Sequence, residues 1–199
     1  MRFRYCDELD FGFGWIVEER IGRTSHALAA DGGVWVVDPV NVPGVEERIR
    51  ALGEPRGVVQ LLDRHERDCA ALAERLGVPL HEVPFDGIPG SPFDVLRVVR
   101  LPVWREAALW WPEARVLVCA DAVGTVPYFR APGEAVGVHA FLRLTPPRRL
   151  RSSDPLHLLC GHGEGLHGED TPAALRRALR RSRRDLPRAL LTGMRSFRT

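Results

Sequence analysis

The sequence predicts an α+β chain built as two β-rich halves, each closed by helices, and three observations carry that expectation. Asp31-Gly32-Gly33 separates two apolar runs, a hairpin turn signal. The continuous run Val58 to Leu62 leads through a polar turn into a helical pattern, as a buried strand feeding a helix does. Val95 to Leu101, Ala107 to Trp111 and Arg115 to Cys119 then supply a second set of strands before the chain turns helical again. Two sheets packed face to face with helices outside satisfy this order, although periodicity by itself leaves other α+β folds open.

Taken in order, Phe13 to Glu18 is a short apolar run, and Ser25 to Ala30 and Val34 to Val37 flank the hairpin turn. Asp38-Pro39 ends the last of these. Val45, Ile49 and Leu52, followed by Gly53, have the spacing and stop of a short amphipathic helix. The turn Asp63 to Arg67 opens a second helix, Asp68 to Leu76, which Gly77 ends. Pro112-Glu113 turns between the last two strands of the second set. The Pro, Gly and Arg-rich stretch from Pro132 to Arg151 reads as loop with a helical piece at Ala135 to Leu142, before a strand at Leu156 to Cys160. A final helix has Thr171 as its N-cap and Pro172 at its first position, and runs through Leu175 and Leu179 to about Arg184. Past Leu186 the chain is expected to fray. The resulting division is one domain over 1–186 and a basic tail over 187–199.

Composition bounds the function classes. At 199 residues and 45% hydrophobic, the chain can bury a core without disulfides. Cys6, Cys69, Cys119 and Cys160 form no CxxC pair, so free thiols are expected. No stretch approaches the ~18 apolar residues of a membrane helix, and the first ten residues lack the apolar run of a signal peptide. No membrane partner and a cytoplasmic location are the expectation. The formal charge of +2 comes from a chain without lysine and names no partner. The arginine series 176, 177, 180, 181, 183, 184, 188, 195 and 198 reads as a solvated face, not a nucleic-acid track. There is no G-x-S-x-G elbow, P-loop or dinucleotide fingerprint.

The order of pieces is informative: a hairpin ending in Val36-Val37-Asp38-Pro39, a helix, a strand ending in a polar loop, a second helix, a hairpin ending in Cys119-Ala120-Asp121, and Cys160-Gly161-His162-Gly163. It resembles the metallo-β-lactamase superfamily over roughly Gly12 to Arg184. The resemblance implies a four-layer αβ/βα sandwich of two mixed β-sheets flanked by helices. It also implies a metal site at the loop that reads His-x-His-x-Asp-His in the family. Laid on Asp63 to Cys69, that motif keeps Asp68, with Arg64 and Glu66 at the first two His positions and Cys69 at the last. A register displaced by one residue would make His65 the second His but would put Arg67 at the Asp position, where a dication would be repelled; the first register is preferred on that ground. Trp104 falls at the third His. Asp121 and His162 match the bridging Asp and the final His, and Asp38 a position that braces the site.

On this reading Asp68, Asp121 and His162 remain as metal ligands, with Cys69 as a candidate fourth, while Arg64, Glu66 and Trp104 plug the vacated space. Arg64 is expected to salt-bridge Asp68, Asp121 or Glu66 as an internal counter-ion. His65, His139, His157 and His167, lacking i,i+4 or HxH spacing, read as surface or hydrogen-bonded residues. The implied function is that of a metallo-β-lactamase-fold protein without its dinuclear centre and without cofactor, non-catalytic or vestigial, which binds a small molecule or protein. A chelator should then leave its melting temperature nearly unchanged. The alternative is a mononuclear hydrolase of a small ester, lactone or thioester with one zinc or iron ion.

Overall fold

A computed structural model describes residues 1–196; Arg198 of the arginine series lies outside the described residues. The first sheet opens with β1 (Phe3–Leu9), β2 (Gly12–Val17), β3 (Thr24–Ala30) and β4 (Gly33–Val37) as an antiparallel meander. The β3–β4 turn places Asp31 and Gly32 at positive φ, 49° and 74°, as a tight hairpin requires. Helix α1 (Val45–Leu52) crosses over to β5 (Pro55–Gln60), and α2 (Cys69–Leu76) to β6 (Leu80–Glu82), both parallel additions. Side chains alternate across this sheet. Val34, Val36 and Val58 pack beneath Val45, Ile49 and Leu72 of the helices, whereas Trp35, Val37 and Val59 face the second sheet.

That second sheet comprises β7 (Asp94–Leu101), β8 (Trp104–Trp111), β9 (Val116–Cys119), β12 (His157–Cys160) and β13 (Leu166–His167), in the order β13-β12-β9-β8-β7. β12 runs parallel to β9 and the other neighbours pair antiparallel, so this sheet too is mixed. A separate ribbon pairs β10 (Val123–Gly124) with β11 (Gly137–Val138). Helix α3 (Thr171–Arg181) buries Leu175, Ala178 and Leu179 in the core that contains Leu117 and Leu158 of the second sheet. The result is two mixed β-sheets with helices against them, as expected from the resemblance.

Several boundaries differ from the expectation. The strand expected at Val58 to Leu62 leaves the first sheet at Gln60; Leu61 O then accepts from Ala107 N (2.8 Å), and Leu62 bridges to Glu106 in the second sheet. The chain thereby carries the loop after β5 across the seam between sheets. At Ala135 to Leu142 there is no α-helix. Val136 and Val138 alternate inward with β11, and only Ala140–Leu142 turns, as a 3-10 helix. The residues expected to fray past Leu186 form helix α4 (Leu186–Ser196), because Ala189 and Gly193 sit one turn apart and bury a narrow small-residue face beside Tyr128. No helix among the described residues is long and apolar enough to cross a membrane.

Candidate metal centre

The parallel strand pairs aim their C-terminal ends at one place, where open α/β sheets generally bind ligands. In β9 and β12 Cys119 pairs with Cys160, so Asp121 and His162, two residues beyond each, emerge side by side. In β4 and β5 Val37 pairs with Val59, and the chain beyond them presents Asp38 and the loop bearing His65. His65 Nε2 and His162 Nε2 each lie 3.0 Å from Asp121 Oδ1. Among the described residues, His65, Asp121 and His162 are the one group of three His, Cys, Asp or Glu side chains close enough to share a metal ion. Gly163 permits the turn after His162: its φ is +93°, and a Cβ there would stand 2.1 Å from Thr125 Oγ1.

The tautomers follow from the outer partners. His65 Nδ1 donates to Asp38 Oδ2 (2.8 Å), and His162 Nδ1 donates to Ile21 O (2.7 Å). In its neutral form each ring would therefore turn an Nε2 lone pair towards a carboxylate oxygen, and in its protonated form an N–H. Asp121 Oδ1 is buried and has no aligned hydrogen-bond donor. Three acceptors facing one another call for a cation between them or for protons on the imidazoles. Carboxylate and backbone carbonyl partners behind metal-facing histidines are also the usual outer support of a metal site. The donor set therefore fits one ion such as zinc or iron.

Positive charge is already close. The Arg67 guanidinium is buried and donates to Thr24 O (2.7 Å), Asp38 O (2.8 Å) and Gly161 O (3.1 Å). These carbonyls from three segments accept the charge that made the displaced register look untenable, and it is that register which places His65 at the site. Arg64 Nη2 lies 3.8 Å from Asp121 Oδ2, an ion pair longer than a hydrogen bond. Its Nη1 donates instead to Val103 O (2.9 Å), and the guanidinium rests over Trp104.

The structure thus brings together Asp121 and His162 of the residues expected as ligands, and not Asp68 or Cys69. Asp68 Oδ2 accepts from Asn41 N (2.8 Å), because its position just before α2 turns it towards the loop after β4. Cys69 Sγ is buried and donates to His65 O (3.3 Å), bracing the loop from behind. Glu66 and Asp68 line a separate cleft of about 480 Å³ that does not include the three-residue group. Trp104 is buried, donating from Nε1 to Glu106 Oε2 (2.9 Å) and meeting His139 edge to face. Sequence reasoning missed His65, Arg67, Glu106 and His139. The one-residue register shift was the signal for His65; nothing in the spacing pointed to the others.

Burial raises the Asp121 carboxyl, but His162 and His65 outweigh it and hold it well below the usual carboxylate range. Burial and the Arg67 charge lower the His65 imidazole, yet Asp38 and Asp121 reverse them and leave it above its ordinary value. Burial, with Asp121 beside it, pushes Glu106 up to about 8. Burial pushes His139 down to about 4. In the metal-free protein these shifts fix a pH dependence. Between pH ~7.5 and ~8 the folded chain retains a proton on Glu106 that the unfolded chain has lost, so stability falls as pH rises. The neutral His139 acts oppositely, but its effect ends above the unfolded imidazole pKa of about 6.5. Thermal melts in chelator should show a declining midpoint across that window, and a flat or rising midpoint would refute the assigned proton positions.

Comparison with solved structures decides the architecture. The metallo-β-lactamase TMB-1 superposes with a TM-score of 0.64 at 9% identity, covering 94% of this chain and 98% of that one. The metallo-β-lactamase DIM-1, in crystals exposed to ceftazidime, gives 0.58 at 12% identity, covering 90% and 97%. The chain has the metallo-β-lactamase fold. A third neighbour, TTHA1623 in a di-iron-bound form, gives 0.58 at 17% identity, covering 79% of this chain and 94% of that one. No protein-family profile and no curated protein sequence matches. At these identities the metallo-β-lactamase fold is what is shared, and function has to be argued from the site.

Proposed function

We propose that this metallo-β-lactamase-fold protein is a mononuclear metal-dependent hydrolase of a small ester, lactone or thioester, with one zinc or iron ion held by His65, Asp121 and His162. The observation that carries the reading is the convergence of two Nε2 lone pairs on the donorless Asp121 Oδ1, each ring locked from behind through Nδ1. A three-ligand site keeps a coordination position open, and a bound ion there supplies the Lewis acidity that acyl hydrolysis needs. Among the described residues no second group of ligands accompanies it, which supports a centre of one ion.

The remaining roles belong to side chains around that position. Arg64, half-exposed at the rim, offers a guanidinium to an anionic substrate group. Phe129 stacks on the His162 ring, 5.6 Å between centroids, and keeps bulk water from that side. His139 accepts at Nδ1 from Phe141 N (3.3 Å), so its Nε2–H points to Tyr128 Oη (3.4 Å); this neutral pair can orient an acyl oxygen. A second reading, a metal-free binding protein, is favoured by one observation: Arg67 and Arg64 already bring positive charge to Asp121.

Metal analysis of protein purified without chelator separates the two. About one zinc or iron per chain, lost in Asp121→Ala, together with thioester or lactone hydrolysis that follows metal content, is the expected result. Metal-free protein that takes up neither ion on incubation would overturn the hydrolase and leave the binding protein.

A further inference from the structure

A second set of imidazoles lies away from this centre, at the foot of the hairpin whose loop carries His162. His157 and His167 are directly opposed across β12 and β13. Their Nδ1 atoms are 3.0 Å apart. His167 Nε2 is 3.0 Å from Asp7 Oδ1, which only an N–H can meet, so neutral His167 keeps its proton there and turns the Nδ1 lone pair to His157. Asp7 is well fixed for this: its side chain is 3% exposed, Oδ1 also accepts from Gly165 N (2.8 Å), and Oδ2 faces His26 Nε2 at 3.3 Å. A carboxylate behind one imidazole, setting its tautomer and orientation, is what metal-bound histidines use. The His167 side chain is 33% exposed, so the pair is open to solvent.

The geometry points to a second, surface metal site: a divalent ion of the copper(II) or nickel(II) kind, held by Nδ1 of His157 and Nδ1 of His167, with water in the other positions. Two nitrogens bound at ~2.0–2.1 Å and 90° to each other lie about 2.9–3.0 Å apart, against about 3.3–3.4 Å in a tetrahedron. The N–H···N bond already holds the two atoms at 3.0 Å, so a tetragonal ion would require less separation of the rings than a tetrahedral one. Proton balance also allows it. In the metal-free pair His157 donates Nδ1–H to His167; binding needs that proton only to leave Nδ1 for Nε2 of the same ring, with no net change in protonation. A bound ion would tie β12 to β13 and so fix both ends of the loop that presents His162, coupling occupancy here to the order of the first centre.

The test is copper(II) titration of the full chain carrying Asp121→Ala and His65→Gln together, which leaves the first centre a single imidazole, so that failure of the mononuclear centre and failure of this site cannot be confused. Calorimetry should give one site, electron paramagnetic resonance should show coupling to two imidazole nitrogens, and the melting temperature should rise with copper. Adding His157→Gln or, separately, His167→Gln should weaken binding at least 100-fold and remove the two-nitrogen signal. The metal-free melting temperature of each variant reports whether it is folded. Absence of copper uptake in the Asp121→Ala, His65→Gln chain, or a two-nitrogen signal that survives His157→Gln in folded protein of that background, would overturn the assignment.

Discussion

Replacing Glu134 by alanine is expected to lower the unfolding free energy by about 3–5 kcal/mol, the cost of leaving a buried charge without its partner. Arg143 has a side-chain exposure of 0% and Glu134 of 6%, and the two meet through both carboxylate oxygens, at 3.2 Å and 2.6 Å. The guanidinium's other acceptor is Phe129 O (2.8 Å), and Glu134 Oε2 also accepts from Ala131 N (2.7 Å). Truncation therefore strands a cation with one backbone carbonyl. The melting temperature should fall on the order of 10 °C for a chain of this size. Glu134→Gln, which keeps an oxygen for Ala131 N, should cost less. Because Phe129 stacks on His162, metal uptake should weaken in Glu134→Ala even in the protein that remains folded. A denaturation midpoint within 0.5 kcal/mol of the parent would show that the loop from Phe129 to Arg143 is held by something else.

Much of the architecture was legible because its signals are local. The hairpin turn needs Asp31 and Gly32 at positive φ, and α1 occupies Val45–Leu52 because a three- and four-residue apolar spacing can bury only one helix face. Short elements were not legible. β6 and β13 are three and two residues long, too short for any periodicity, and exist because a neighbouring strand offers an edge. Helix α4 was missed because its buried face is made of Ala189 and Gly193, while Leu190, Leu191 and Met194 remain exposed, which inverts the usual reading of an amphipathic pattern.

The site divides in the same way. Asp121 and His162 end buried apolar strands in a parallel pair, so their meeting follows from the order of elements. His65 could be found only by choosing between two registers one residue apart. The choice turned on Arg67, judged intolerable beside a cation. Its three carbonyl partners come from residues 24, 38 and 161, contacts that no local pattern encodes. Glu106 is similarly invisible, since a strand glutamate flanked by Arg105 and Ala107 reads as solvent-facing until the bridge from Leu62 covers it.

Asp38→Asn is the substitution that tests the centre most sharply, because it changes a proton position at nearly constant shape, at the cost of one carboxylate charge beside Arg67. Asp38 sits at the end of β4 with φ of 44°, a conformation that Asn adopts as readily as Asp. Its Oδ1 accepts from Leu61 N (2.8 Å), a bond that the Asn oxygen can keep. The other position, now an amide nitrogen, then faces His65 Nδ1 where a carboxylate oxygen stood at 2.8 Å. Two donors cannot share that bond. The neutral imidazole must accept at Nδ1 and move its proton to Nε2, the atom 3.0 Å from Asp121 Oδ1. In the metal-free protein this proton gives Asp121 Oδ1 the donor it lacks, which offsets part of the support that Arg67 loses with the Asp38 charge. For a metal ion the same proton occupies the lone pair that would bind it. Loss of such a supporting partner costs about 10–100-fold in metal affinity. Competition against a chromophoric chelator should therefore show weaker zinc binding by that factor, in protein whose melt in chelator shows that it is still folded. Unaltered zinc affinity in Asp38→Asn would mean that His65 Nε2 is not a ligand, and the mononuclear centre would lose the residue that joins the two sheets.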